Sequence, residues 1–263
     1  MSQLSRPEPT GQFEWAQAPW GAVLRCRPLA AVADHFFTAR SLQLRDSDAE
    51  WSGVAQLAGV KPDRLRLLHQ VHGNAIVVSG LDGLRPQADG LVSDDGSLAL
   101  VVRVADCAPI LIGDGRLGVV AAVHAGWRST MQRIAPLAVA ALKQHFGSRA
   151  EDLVVAIGPS LGSCCGEMGE EVVDAFRGAG HDDEVVARWF TREPGCRPHF
   201  DLWRANREQL ERAGVPPDAI HVARLCTRTH PTVFHSYRAA GSAAGRMAAV
   251  IRARPSDVHR RAR

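Results

Sequence analysis

The chain has 263 residues, 46% of them hydrophobic and 22% charged, which suits a globular protein with a sizeable core in one large domain or two small ones. A net charge of +3, with no basic run beyond Arg260-Arg261, excludes an electrostatic case for nucleic-acid binding. No stretch of ~18 apolar residues is present, and the polar first 17 residues lack the apolar run of a secretion signal, so a cytoplasmic protein without a membrane span is expected. The six cysteines (Cys26, Cys107, Cys164, Cys165, Cys196 and Cys226) are scattered, which favours thiols acting as ligands or nucleophiles over a disulfide framework.

In chain order, residues 1–20 read as a flexible lead-in with at most a short strand at 13–16. Strands are predicted over 21–27 and 35–40. A helix follows over 46–58, where Trp51, Val54, Ala55 and Ala58 recur at helical spacing behind a Ser47 or Asp48 cap. A strand at 65–68 leads into His69-Gln70-Val71-His72-Gly73, and another follows at 75–78. Ala88-Asp89-Gly90 then makes a tight turn before the next strand. Residues 98–104 are nearly continuously apolar, as expected of a strand covered on both faces. Two further apolar runs, 109–112 and 117–123, flank Gly113-Asp114-Gly115-Arg116, a hairpin signal. A turn centred there brings Cys107 and His124 out nearly opposite one another at the open end, where facing Cβ atoms lie roughly 5 Å apart.

The rest of the chain predicts a helix over 129–145, capped by Ser129 or Thr130 and stopped by Gly147, and a strand at 153–157. A Gly-rich loop with Cys164-Cys165 follows, then a helix at 169–177 and an irregular surface stretch over 181–199. A helix over 200–213, a strand at 220–225 and a closing helix over 244–252 complete the fold, and the tail from 255 reads as disordered. Strands interleaved with helices and joined by hairpins argue for mixed sheets with outer helices. No dinucleotide or phosphate-loop glycine pattern is present.

His72, Cys107 and His124 each follow a predicted strand end and open a loop containing Gly73, Pro109 or Gly126. Two histidines and one cysteine suit Zn²⁺ with its fourth position open to water or substrate, and copper accepts the same donors. From these residues alone three readings stay open: a metal site, a buried reactive pair, or a chance meeting of a packed cysteine with two hydrogen-bonded histidines. Asp106 and Asp89 stand where a carboxylate could orient a ligand histidine, although a turn-capping role suits Asp89 equally. Arg128, beside Ser129 and Thr130 at a helix start, fits either an anion site or a solvent-exposed arginine. Cys164-Cys165 reads better as a packed pair than as a thiolate nucleophile. His69, His230 and His235 read as ordinary polar residues, and Gly245-Arg246-Met247 as packing, with a functional arginine left open.

Taken together, Gln70-Val71-His72-Gly73, Ala88-Asp89-Gly90, Ala105-Asp106-Cys107-Ala108-Pro109, His124-Ala125-Gly126-Trp127-Arg128, Ile157-Gly158-Pro159 with Cys164-Cys165, and Ser236-Tyr237-Arg238 with Gly245-Arg246-Met247-Ala248 stand in an order that resembles the YfiH/laccase-domain family. That family is also described as multicopper polyphenol oxidase-like proteins, purine nucleoside phosphorylases or peptidoglycan editing factors. The resemblance implies an α+β fold, a single four-layer α/β/β/α domain with mixed sheets (YfiH/CNF-like) over residues 21–254. It also implies a zinc site at His72, Cys107 and His124, with copper as the alternative occupant. The implied activity is phosphorolysis of adenosine, inosine and methylthioadenosine to the base and pentose 1-phosphate, with adenosine deamination on the side. The implied partners are thus a purine nucleoside and phosphate, with no nucleic acid or membrane, in a monomer or homodimer. Cys107, His124, Asp106 and Arg128 are then the catalytic positions, and Arg40, Gln70 and Arg128 contact substrate or phosphate. A copper-dependent polyphenol oxidase and a non-catalytic metal-binding or peptidoglycan-precursor editing protein are the alternatives. The chain departs from the family pattern after Arg40, where Ser41-Leu42 replaces a Gly-Gly-Val-Ser loop, and at Gly166, which replaces an aromatic.

Overall fold

The computed structural model describes residues 6–45, 47–80 and 85–254. Its layering follows from how apolar side chains alternate along the strands. In β7 (Ala99–Val104), Leu100, Val102 and Val104 join one apolar cluster while Ala99 and Val101 join another. Along β8 (Ala108–Asp114) and β9 (Val119–Ala125), Ile110, Ile112, Ala121 and Val123 face one way and Leu111, Val120 and Ala122 the other. Strands apolar on both faces must be covered on both, so two sheets stack and helices close the outside.

The first sheet runs β1 (Phe13–Ala18), β2 (Gly21–Cys26), β3 (Ala33–Thr38), β14 (Met247–Ala253), β7 and β4 (Leu65–Arg66). The second runs β13 (Ile220–Val222), β10 (Leu153–Ile157), β8, β9, β6 (Gly90–Ser93) and β5 (Ile76–Val78). Parallel pairs β4–β7, β10–β13 and β5–β6 make both sheets mixed. Leu24, Phe37 and Ile251 meet Leu111, Val120 and Ala122 between the sheets. Helix α2 (Asp48–Ala58) covers the outer face of the first sheet, setting Val54, Ala55 and Ala58 against Val101 and Val250. Helices α4 (Ile134–Phe146), α5 (Glu170–Gly178), α6 (Asp183–Trp189) and α7 (Leu202–Arg212) cover the second. The short helices α1 (Arg27–Ala30), α3 (Trp127–Met131) and α8 (Tyr237–Ala240) shape connections, and β11 (Phe190–Thr191) pairs with β12 (His199–Phe200) at the rim. This is the single domain with two mixed sheets that the sequence led us to expect. Among the described residues no helix is long and apolar enough to cross a membrane.

Four expectations are corrected. The closing helix over 244–252 is instead β14, a central strand hydrogen-bonded to both β3 and β7. Its alanines favour a helix in isolation, but burial on both faces between two waiting strands overrides that preference. The helix over 129–145 breaks into α3 and α4 at Arg133, whose φ is 61°. Pro136 requires the break: in the first turn of α4 its ring is tolerated, but inside a continuous helix it would strike the carbonyl of Gln132. The cap of α3 is Gly126, not Ser129 or Thr130. The stretch 181–199 is not irregular surface, since it carries α6 and β11 and buries Trp189 completely against Phe176 and His181. A seven-residue helix is too short to announce itself by periodicity. Finally, the β8–β9 hairpin pairs Pro109, not Cys107, with His124, because its loop lies at 115–118, two residues further along the chain than the turn signal at 113–116. The lead-in does include β1, paired along its whole length with β2, and the predicted tail from 255 lies outside the described residues.

Gly147 closes α4 with φ 72° and has nothing within 4 Å of an added Cβ, so a substitution there meets only backbone strain. Gly147→Ala is expected to cost about 1 kcal/mol, read as a melting temperature lower by about 2–4 °C. An unchanged melting temperature would show that this cap is not strained.

Candidate metal centre

Three chain segments converge at one end of the second sheet. The loop after β4 carries His72, the residue just before β8 is Cys107, and His124 lies on β9, 3% exposed. Cys107 stands two positions before Pro109, the partner of His124, and so shares its face of the sheet as a diagonal neighbour. The ligand atoms of His72, Cys107 and His124 all lie within 4.8 Å of one another. The two imidazole rings stand edge to face, with centroids 4.8 Å apart.

Asp89, fully buried just before β6, holds this arrangement. Its carboxylate accepts the backbone N–H groups of Val71, His72 and Gly73 and lies 2.7 Å from Nδ1 of His124. A carboxylate can only accept, so Nδ1 carries the proton and Nε2 is left to face the other two side chains. The loop bonds also fix His72 at φ 59°, a left-handed conformation rare outside glycine. Burial opposes ionisation of Asp89, but the His124 hydrogen bond and the Gly73 N–H outweigh it and hold the carboxyl below its usual range.

Burial likewise tends to raise the Cys107 thiol, yet the charge of His124 and hydrogen bonds from both histidines bring it down to about 6. For His124, burial acts to lower the pKa. The Cys107 charge and the Asp89 and Cys107 hydrogen bonds reverse this and lift it to about 9. A thiolate and two imidazoles at ligand spacing, one imidazole backed by a carboxylate, fit a Zn²⁺ or copper ion. Gly126 supports the fit, since a Cβ there would come within 2.9 Å of Cys107 Sγ and 3.2 Å of the His72 ring.

The trio opens onto a cleft of 820 Å³. Arg45, Arg128, Arg238 and Arg246 line it, and none has an ion-pair partner among the described residues. Arg128 lies over the Trp127 ring, 4.3 Å from its centroid. Tyr237, 55% exposed, stands at the same wall. Gln70 also lines the cleft, but both ends of its amide are bound to the backbone of Arg103. Asp106, at φ 88°, turns its carboxylate to the Thr227 hydroxyl at 2.6 Å and the Arg238 backbone N–H. It therefore clamps the cleft wall rather than facing the trio. Arg40 does not line the cleft, because its guanidinium donates to the Phe234 carbonyl at 3.3 Å.

Arg45, Arg238 and Tyr237 were not singled out as site residues from sequence. Tyr237 and Arg238 follow Ser236 in a motif that marked the family, and only the β3–β14–β7 pairing brings Arg103 and Arg246 to one end of the sheet.

Residues 46–254 match the family model described as multi-copper polyphenol oxidoreductase laccase. A purine nucleoside phosphorylase of Bacteroides thetaiotaomicron is 38% identical over 159 residues, covering 60% of this chain and 58% of that protein. A protein named adenosine deaminase RL5, from an unknown prokaryotic organism, is 35% identical over 219 residues, covering 77% of this chain and 80% of that one. The crystal structure of YlmD from Geobacillus stearothermophilus superposes with a TM-score of 0.82 at 28% identity, covering 92% of this chain and 99% of that one.

Proposed function

This chain belongs to the multi-copper polyphenol oxidoreductase laccase family, and on that premise we propose that it is a zinc-dependent purine nucleoside phosphorylase with adenosine deaminase side activity. The observation that carries the reading is the single His72–Cys107–His124 trio at the base of an arginine-lined cleft. The names of the relatives that it resembles, a phosphorylase and an adenosine deaminase, support the substrate class. Laccase chemistry on phenols needs a multinuclear copper cluster of many histidines. The two ligand clusters among the described residues are this trio and a group of three cysteines.

In phosphorolysis an oxygen of inorganic phosphate bonds to C1′ of the sugar as the N9–C1′ bond breaks. The bonding pair leaves with the purine, which takes up a proton. Arg128, Arg238 and Arg246 are placed to hold phosphate against the sugar, converting an encounter of two reactants into a positioned one. The phosphate held by these arginines sets its own negative charge beside C1′ as that carbon becomes cationic. Tyr237 offers a ring against which the purine can stack, and the Asp106 clamp keeps Arg238 in register with the trio. A bound zinc ion would supply Lewis-acid chemistry beside the base and serve the deamination.

The test is incubation of metal-replete protein with inosine or adenosine and phosphate, with release of base and pentose 1-phosphate followed by chromatography. Absence of both products across several purine nucleosides overturns the proposal. Arg128→Met is expected to raise the KM for phosphate about 10-fold, the loss of one charge-assisted hydrogen bond, with a smaller change in kcat. An unchanged phosphate KM would remove Arg128 from the anion site.

A further inference from the structure

The second ligand cluster lies outside the catalytic trio. Cys164 and Cys165 sit in a 3₁₀ turn, Ser163–Cys165, in the loop that follows β10. Cys226 arrives from the segment after β13, held by a parallel bridge between Ser160 and Cys226 and by the Thr227 N–H to Ser160 carbonyl bond. The ligand sulfurs of all three lie within 4.8 Å of one another, and those of Cys164 and Cys165 are 3.8 Å apart. Zinc–sulfur bonds of 2.3 Å in a tetrahedron place sulfurs about 3.8 Å apart, whereas a disulfide requires about 2.05 Å.

The surroundings suit a bound cation. Gly162 lets the two segments meet, for a Cβ there would lie 2.7 Å from the Trp203 ring and 3.3 Å from the Cys226 Cβ. Backbone N–H groups of Gly162, Arg228 and Thr229 point at the Cys226 sulfur. Such donors commonly fix and tune metal thiolates. Leu161, Cys165, Cys226 and Trp203 form an apolar wall on the inner side, while Cys164 is exposed and leaves the outer side open to solvent. Three thiols with no histidine or carboxylate select a soft ion.

We propose that Cys164, Cys165 and Cys226 form a second metal site, for a thiophilic d¹⁰ cation, Zn²⁺ or Cu⁺. The site is tied to the cleft wall at two points. The Cys165 carbonyl accepts from the Arg238 guanidinium at 3.2 Å, and Thr227, next to Cys226, donates to Asp106. Loading it therefore fixes the loop that positions Arg238. The assignment stands on the cysteine geometry alone and does not depend on the reaction proposed above.

The experiment strips the full-length protein of metal under reducing conditions and titrates it in separate arms with Zn²⁺ and Cu⁺, with Co²⁺ as the spectroscopic probe. Two equivalents of Zn²⁺ are expected for the wild type and one for Cys164→Ser, whose second-site affinity falls at least ~100-fold. The Co²⁺ thiolate charge-transfer band should shrink to the single-thiolate contribution of Cys107 in Cys226→Ser, and should keep its larger part in Cys107→Ser. Whichever of Zn²⁺ and Cu⁺ binds the Cys164–Cys165–Cys226 cluster more tightly names the occupant of the second site. Cys164 is exposed, so its variant keeps the fold even where Cys226→Ser does not, and circular dichroism checks both. A single equivalent in the wild type in both arms, or a second equivalent that survives Cys164→Ser and Cys226→Ser, overturns the proposal. So does a mass 2 Da below the reduced chain with Cys226 joined to either neighbour in protein that takes up no second ion.

Discussion

Cys107→Ala is expected to lower kcat/KM for nucleoside phosphorolysis by at least ~10³-fold and to remove one equivalent of bound metal. The side chain is the only anionic member of its trio, and the transition-state stabilisation lost with a Lewis acid amounts to several kcal/mol, at 1.36 kcal/mol per tenfold. Turnover of Cys107→Ala within tenfold of wild type would dissociate the trio from the reaction. Metal content measured alongside separates a lost ion from a lost thiol. The same pair of groups sets a pH dependence. With the thiol at about 6 and His124 at about 9, an incoming ion displaces protons from both groups below pH 6 and from His124 alone between 6 and 9. Metal affinity should therefore climb with pH across that window and fall most steeply under acid conditions, as competition titrations on either side of pH 6 can read. An affinity flat in pH would contradict the thiolate–imidazolium pair.

The layers of this fold were legible wherever one strand carried its own record of both neighbours. The run over 98–104 is apolar on both faces apart from Arg103, and that alone calls for two covering layers, which the second sheet (β8 and β9) and α2 provide. The 244–252 stretch has the same double-sided burial but is rich in alanine, so its local preference and its place in the sheet disagree. Only the pairing with Phe36 and Val101 settles the matter. The site was legible in the same uneven way. Cys107 and His124 flank a hairpin and could be brought together from a turn signal, even though the true register is two residues away from the one expected. His72 stands 35 positions before Cys107, and no spacing rule joins them; what joins them is Asp89, which binds both the His72 loop and the His124 ring. The arginine wall was the least visible part. Arg45 follows β3, Arg238 lies on α8 and Arg246 stands just before β14, and arginines of this kind acquire meaning only when the fold gathers them round one cleft.

Asp89→Asn is expected to lower metal affinity 10–100-fold and to destabilise the protein even without metal. The aspartate offers two anionic oxygens to four donors: the backbone N–H groups of Val71, His72 and Gly73, and Nδ1–H of His124. Asparagine keeps the volume but presents one acceptor and an NH₂ group, so at least one buried donor is stranded, at about 1–3 kcal/mol each. His124 then loses the partner that fixes its tautomer, and His72 loses the bonds that hold its left-handed backbone, so both ligands loosen through a residue that touches neither sulfur nor metal. A merely structural carboxylate would lower the melting temperature alone. The discriminating measurement is therefore zinc affinity by chelator competition at a temperature where the variant is fully folded by circular dichroism. Asp106→Asn supplies the contrast. Its carboxylate serves Thr227 and Arg238, so zinc affinity should stay near wild type while the KM for phosphate rises. If both variants weaken zinc alike, the division of labour between the two aspartates is wrong. If neither does, the Asp89–His124 bond has no part in holding the ion.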